Sequence, residues 1–221
     1  VFAVLILVSS SPAQLEHRVW EPFGGVPVRQ GFHIEWYRST ATNADGDLAM
    51  IWSDTRTGGR DLYMQVVDVN GNALWDQFPD GKLVASGRSR QEDPHVMAAS
   101  DGGWIVSWVD YRDSLPNEED AEIFIDKLDV DGNSVWSDHP DYSEVEDGTG
   151  IPLTHQVPSK QKIVQSFDDG NGGAVTIWVD NRAQNADLYG QHIDANGDIQ
   201  WFPDGQPENP NGRIIAGGPS S

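Results

Sequence analysis

The chain has 221 residues, nine of which are tryptophan and none of which is cysteine, and its formal net charge is −21 at pH 7. This composition excludes a nucleic-acid partner, because 14 Lys and Arg against 35 Asp and Glu provide no basic surface that could neutralise phosphates. The absence of cysteine also excludes a disulfide scaffold and thiolate chemistry, so stability must come from packing.

The first eight residues, VFAVLILV, are apolar but too few to cross a bilayer, and Ser-Ser-Ser-Pro-Ala follows them. This pattern is typical of the core of a secretory signal peptide with a small-residue cleavage site. We therefore expect residues 1–13 to be a truncated signal peptide and residues 14–24 to be a lead-in segment. The expected location is outside the cell, at its surface or in the periplasm, with no transmembrane segment; an ordinary buried strand is the alternative for residues 1–13.

Three stretches of the chain, 51–75, 107–136 and 177–201, follow one pattern. Each contains Trp-x-Asp-x-Arg, a variable gap, an acidic-apolar-aromatic trio, then Asp-x-Asn/Asp-Gly and a closing Trp. Self-similarity of this kind indicates a repeat architecture.

A glycine followed by mostly apolar residues stands ahead of each stretch, at Gly25, Gly81 and Gly150, and it recurs at Gly212. The interval from this glycine to the next repeated Trp varies by at most one residue. The glycines therefore predict the repeat boundaries, which are 25–80, 81–149 and 150–211, with 212–221 as the start of a further repeat.

Short runs rich in Val, Ile, Trp and Tyr, bounded by Gly, Asp and Asn, predict strands and turns, and no segment has helical periodicity. The Asp-x-Asn/Asp-Gly segments predict tight hairpins. The expected first strands are 33–41, 94–100 and 162–167, the second 47–52, 103–109 and 173–179, and the third 61–67, 122–128 and 188–193. Fourth strands are expected to end near Trp75, Trp136 and Trp201.

Four antiparallel strands per repeat of about 60 residues are typical of one β-propeller blade. We predict an all-β, propeller-like array of four-stranded blades, with three complete repeats and the start of a fourth. The repeat motif resembles that of secreted bacterial proteins with propeller-like repeats, many of which end in a sorting domain. This resemblance implies an extracellular propeller and indicates little about activity. Further blades of the same longer chain are the expected partners, and association between chains is the alternative.

The repeated tryptophans predict packing between blades, whereas Trp20, Trp36 and Trp104 break the repeat and are the candidates for an exposed aromatic contact. Each Asp-x-Arg pair places a carboxylate and a guanidinium on one face of a strand. Because an active site needs one constellation and this pair occurs three times, we interpret the pairs as structural ties. His33 and His95 occupy similar positions and are interpreted in the same way.

The middle repeat differs from the others by two acidic insertions, 113–120 and 137–149, which are expected to meet on one face. Their carboxylates could bind Ca²⁺ through hard oxygen ligands; flexible, solvated acidic loops are the alternative. The candidate ligands are Asp113, Glu118, Glu119, Asp120, Asp141, Glu144, Glu146 and Asp147.

We predict no catalytic and no cofactor-binding residue, because no zinc-protease motif, nucleophile elbow or phosphate-binding loop occurs. The leading hypothesis is a secreted, non-enzymatic binding or scaffold module whose acidic face binds an extracellular protein or glycan, with no required cofactor except possible Ca²⁺. The alternative is an extracellular carbohydrate-active enzyme, a glycoside hydrolase-like propeller whose catalytic carboxylates are completed by further sequence.

Overall fold

The computed structural model describes residues 35–87, 89–112, 120–136, 150–154, 157, 161–182, 185–202 and 211–217. These residues form twelve strands and no helix. The strands make three four-stranded antiparallel sheets, which we call sheets I, II and III in chain order. The prediction of an all-β fold is confirmed.

The strands of each sheet lie side by side in chain order, so that every neighbour pair is antiparallel and consecutive. Sheet I contains β1 (Glu35–Thr42), β2 (Leu48–Asp54), β3 (Asp61–Val67) and β4 (Lys82–Ala85). Sheet II contains β5 (Gln91–Ala98), β6 (Trp104–Asp110), β7 (Glu122–Leu128) and β8 (Ile151–Pro152). Sheet III contains β9 (Gln161–Asp168), β10 (Ala174–Asp180), β11 (Asp187–Ile193) and β12 (Arg213–Ala216).

The fourth strand of each sheet differs from the sequence prediction. It follows the repeat glycine instead of ending at the closing Trp, whose segment forms only an isolated bridge such as that of Val67 with Ala73. The prediction that residues 212–221 start a further blade is wrong for residues 213–216. They pair with β11, with Tyr189 opposite Ile214, and so they complete sheet III.

The repeat glycine is needed where the first Trp of the motif packs. Gly150 has a φ of +94°, and a Cβ atom added there would lie 2.4 Å from Cη2 of Trp108. A side chain would therefore strain the backbone and collide with the indole ring at the same time. The equivalent contacts are those of Gly81 with Trp52 and of Gly212 with Trp178.

The three sheets pack face to face around buried apolar side chains. Ile51 and Leu62 of sheet I belong to one buried cluster with Trp104 and Phe124 of sheet II. The prediction of an exposed aromatic contact at Trp104 is wrong, since its side chain is 3% exposed within this cluster. The aromatic side chains of the other two candidates, at positions 20 and 36, lie outside the described residues.

Two of the three closing tryptophans, Trp75 and Trp136, join neighbouring sheets by a hydrogen bond. Nε1 of Trp75 donates to the main-chain oxygen of Val130 over 2.8 Å, and Nε1 of Trp136 donates to the oxygen of Ala195 over 3.1 Å. Both acceptors are the second residue of the Asp-x-Asn/Asp-Gly hairpin in the next sheet. The prediction that these tryptophans pack between repeats is thus matched by the contacts.

Candidate functional site

One end of each sheet carries the Asp-x-Arg motif, and we call it the motif end. There the second strand finishes at the motif Asp, which stands opposite the first residue of the first strand; Gln91 opposite Asp110 is one example. The first strands are neighbours, because β1 contacts β5 and β5 contacts β9. The motif end therefore brings the starts of these three strands together.

The Asp-x-Arg pairs form the structural tie that the sequence predicts. In sheet II, Oδ2 of Asp110 accepts from Nη2 of Arg112 over 2.5 Å and from Nε1 of Trp108 over 2.8 Å. The guanidinium carbon of Arg112 lies 4.1 Å from the ring centroid of Phe124. Sheets I and III repeat the ion pair and the stacking, in Asp54 with Arg56 over Tyr63 and in Asp180 with Arg182 over Tyr189.

A polar cluster that does not follow the repeat lies where sheets I and II meet at the motif end. The carboxylate of Glu92 forms ion pairs with the guanidinium of Arg60 and with that of Arg90, whose Nε lies 3.2 Å from Oε1 of Glu92. The guanidinium carbon of Arg90 lies 3.7 Å from the ring centroid of Tyr111. The residue directly before the third strand is Arg60 in sheet I, whereas it is an alanine in the other two sheets, Ala121 before β7 and Ala186 before β11. Two arginines therefore hold the carboxylate of Glu92, and one of them, Arg60, has no arginine counterpart in sheets II and III.

The residue after Glu92 has an uncommon backbone conformation. Asp93 has a φ of +48°, and it is the one non-glycine residue with a positive φ among those the structure describes. It lies in a register shift of β5 between Glu92 and His95. A side chain in this region costs about 1–3 kcal/mol, and such residues cluster at active sites and ligand-binding segments, although Asp adopts this conformation more readily than most residues.

His95 links the first strands of sheets II and III. Its Nδ1 accepts from the backbone N–H of Ser166 over 3.3 Å, in the same way that Oγ of Ser39 accepts from the N–H of Val96 over 3.2 Å. Burial lowers the pKa of His95, so the ring is neutral and can accept this bond at neutral pH. The structural interpretation of His95 agrees with this contact, while that of His33 falls outside the described residues.

The predicted calcium ligands are almost all outside the described part of the chain. Of the eight candidates the structure describes only Asp120; positions 113, 118, 119, 141, 144, 146 and 147 are not described. Among the described residues, no group of three or more His, Asp or Glu could hold a metal ion. Calcium binding by the acidic insertions stays a prediction.

Sequence signals for Glu92 and Asp93 existed, although the prediction missed both residues. The Glu-Asp-Pro segment has no counterpart at the start of the other first strands, and Arg60 replaces an alanine of the repeat. Neither observation shows that residues 60 and 92, on different sheets, meet.

No family model matches the chain, and no curated protein matches it. Among solved structures it is similar to the endo-arabinase from Bacteroides thetaiotaomicron, with 10% identity, a TM-score of 0.47 and coverage of 82% of this chain and 62% of that one. A glycosyl hydrolase from Bacteroides ovatus has 9% identity, a TM-score of 0.38 and coverage of 83% and 52%. A structure from the family of mannoside phosphorylases that contains glycoside hydrolases has 8% identity, a TM-score of 0.39 and coverage of 83% and 51%.

This finding corrects the functional expectation. The similar structures are carbohydrate-active enzymes, so the expectation of a non-enzymatic binding or scaffold module is wrong and the prediction of no enzyme is overturned with it. The chain spans less than two thirds of the length of each of these proteins. The part of the chain that the structure describes contains no helix with the length and hydrophobicity that a membrane crossing requires.

Proposed function

We propose that the chain is part of a carbohydrate-active enzyme built on a β-propeller, and that a glycan binds at the motif end beside Asp93. Three consecutive four-stranded antiparallel sheets, packed face to face with their first strands adjacent, support the propeller scaffold. The wall of such a site would be formed by the starts of β1, β5 and β9.

The observation that carries the proposal is the backbone of Asp93. A non-glycine residue at φ +48° needs surroundings that hold it, and this one stands beside the ion-paired carboxylate of Glu92. The register shift itself recurs in β1 and β9, but among the described residues the positive φ of a non-glycine residue occurs only at Asp93. Repeated features in this chain serve the fold, so a strained acidic residue that is not repeated is the best candidate for chemistry.

Glycoside hydrolysis commonly uses two carboxylates that flank the scissile bond. The carboxylate of Glu92 is already ion-paired with Arg60 and Arg90, so it is not the second carboxylate of the pair. In the proposed site, Asp93 contacts the sugar, and Glu92 is a positioning residue that holds Arg60 and Arg90 beside it. The second carboxylate would come from another strand of the propeller.

The proposal is tested by incubating the purified chain with arabinan, β-1,2-mannan and a wider panel of plant, algal and host glycans. Product release is measured with and without inorganic phosphate, so that both hydrolysis and phosphorolysis are detected. We expect turnover, or binding by calorimetry, that D93N lowers at least about 100-fold, as expected for loss of an acid–base group. E92Q should mainly raise KM.

D131N is the matched control, because Asp131 is an exposed carboxylate in a hairpin turn of sheet II. Its activity should equal that of the unmodified chain, and circular dichroism should show all three variants folded. Full activity of D93N, or a panel without any turnover or binding, would contradict the proposal.

We also propose that the enzyme acts outside the cell, since residues 1–13 have the pattern of a signal peptide. Sequencing the N-terminus of protein recovered from the culture medium should give Gln14 as the first residue. Protein retained in the cytoplasm with residues 1–13 attached would contradict this.

A further inference from the structure

The face of sheet III that points away from sheet II is apolar and only half covered. Along β10 the burial alternates, and Trp178 faces the buried cluster shared with sheet II while Val175, Ile177 and Val179 point to the other side. Ile215 lies on that other side, because a Cβ atom at Gly190 would be 3.1 Å from its Cγ1 and 3.3 Å from Cγ2 of Ile177. We call this side the outer face of sheet III.

The corresponding residues of sheets I and II are buried in contacts with the next sheet. By strand register Ile215 corresponds to Val84 and Leu153, which are 5% and 0% exposed, whereas Ile215 is 49% exposed. Phe167, on the same face, is 53% exposed. The outer face is therefore as apolar as the buried interfaces between the sheets. Among the residues that the structure describes, no further sheet covers it.

Trp201 closes the third repeat as Trp75 and Trp136 close the first two. Its backbone N–H donates to Oε1 of Gln191 over 2.9 Å, and its ring lies 5.9 Å from that of His192. Within the described part of the chain its indole N–H has no acceptor, whereas the equivalent N–H groups reach hairpin carbonyls of the next sheet. The third repeat thus carries the donor of the inter-sheet hydrogen bond, and the described part of the chain contains no acceptor for it.

The first strand of sheet III also carries a side chain at the position that forms a hydrogen bond to the next sheet. Ser39 and His95 each accept from a backbone N–H of the next first strand, and Gln165, which is exposed, takes the corresponding place in β9. Its amide oxygen can accept the same kind of bond. Both edges of the outer face therefore present the groups that join sheets I, II and III.

We propose that the outer face of sheet III is a docking surface for a further four-stranded sheet of the same repeat, carried by the same polypeptide. The indole of Trp201 would donate to the carbonyl of the second residue in that sheet's Asp-x-Asn/Asp-Gly hairpin. Connections between consecutive sheets are short, since β4 ends at Ala85 and β5 begins at Gln91, which favours a sheet from the same polypeptide. This inference does not depend on the glycan site.

The test is a tandem chain in which residues 155–217 are repeated once after Gly217, compared with the unmodified chain by thermal unfolding. A docked fourth sheet should unfold together with the others in one transition, with Tm raised by about 5 °C or more. W201A should lower Tm at least twice as much in the tandem chain as in the unmodified chain, because the indole is fully buried only there.

I215K supplies the matched control. Because Ile215 is half exposed, the variant should leave the Tm of the unmodified chain nearly unchanged and should abolish the gain of the tandem chain. Two separate transitions, equal effects of W201A in both chains, an added repeat that proteases remove at once, or a tandem chain that does not fold would each overturn the proposal.

Discussion

The indole N–H of Trp108 donates to Oδ2 of Asp110 over 2.8 Å, and this makes the Trp-x-Asp-x-Arg motif a single hydrogen-bonded unit within one sheet. The same carboxylate accepts the guanidinium of Arg112 through Oδ2 and its backbone N–H through Oδ1. Sheet I lacks the first of these bonds: Nε1 of Trp52 is buried without a hydrogen-bond partner among the described residues.

Trp52 and Trp108 form a natural comparison, because both rings pack on a repeat glycine and only one donates. W108F should lower the free energy of unfolding by about 1–3 kcal/mol more than W52F, since it removes one of the two donors to the buried Oδ2 of Asp110, whereas W52F removes an N–H that forms no hydrogen bond among the described residues. Urea unfolding of both variants measures the difference, and equal losses would show that the bond contributes nothing.

Gly150 and Gly102 separate steric collision from backbone strain. Both have a positive φ, but a Cβ atom at Gly102 meets nothing within 4 Å, whereas one at Gly150 meets Trp108. G102A should cost about 1 kcal/mol, and G150A about 1–3 kcal/mol more, as expected for overpacking. The midpoints of urea unfolding test this, and G150A no worse than G102A would refute the packing assigned to the repeat glycine.

Asp126 is a buried carboxyl at a place where the other sheets have Gln65 and Gln191. Its Oδ1 accepts from the N–H of Lys127 and from Oγ of Ser134, each over 2.8 Å. Burial raises its pKa to about 7 from an ordinary value of 3.8. Between these two values the folded chain holds a proton that the unfolded chain releases, so stability falls as pH rises from about 4 to 7.

D126N should remove this loss, because an amide of the same shape carries no charge. The variant should be more stable than the unmodified chain at pH 8, on the order of 2 kcal/mol, and the difference should shrink towards pH 4. Urea unfolding at several pH values measures it, with D131N as the exposed control. A difference that does not change with pH would contradict the raised pKa.

Asp93 allows the strain at the candidate site to be measured apart from its chemistry. D93G and D93A remove the same carboxylate, yet glycine adopts a φ of +48° without penalty and alanine does not. D93G should therefore be about 1 kcal/mol more stable than D93A, while both should lose glycan turnover. Equal stabilities would mean that the backbone at residue 93 is not strained.

The strands were predictable from sequence where their determinants are local. The third strands 61–67 and 122–128 match β3 and β7, because apolar runs there end at hairpin residues. The fourth strands were missed because pairing with the third strand is set by contacts across the sheet, and the Trp-ending segments have equally apolar sequences. Trp104 was misplaced because departure from the repeat does not by itself imply exposure.

The candidate site was harder to predict than the fold. Repeat comparison identifies the ties around Asp110 because three copies can be aligned, but a cluster present once has nothing to align with. Residues 60 and 92 meet only after two sheets have packed, and the φ of Asp93 depends on a register shift that the residue types do not specify.

The bond from Trp75 ends on the backbone of Val130, and that from Trp136 ends on the backbone of Ala195, so the accepting position has no preferred side chain. A substitution at that position therefore keeps the main-chain acceptor of the hydrogen bond between the two sheets. Neighbouring units are free to diverge in their loops, and an evolving gene could gain or lose whole units while reusing the same joint.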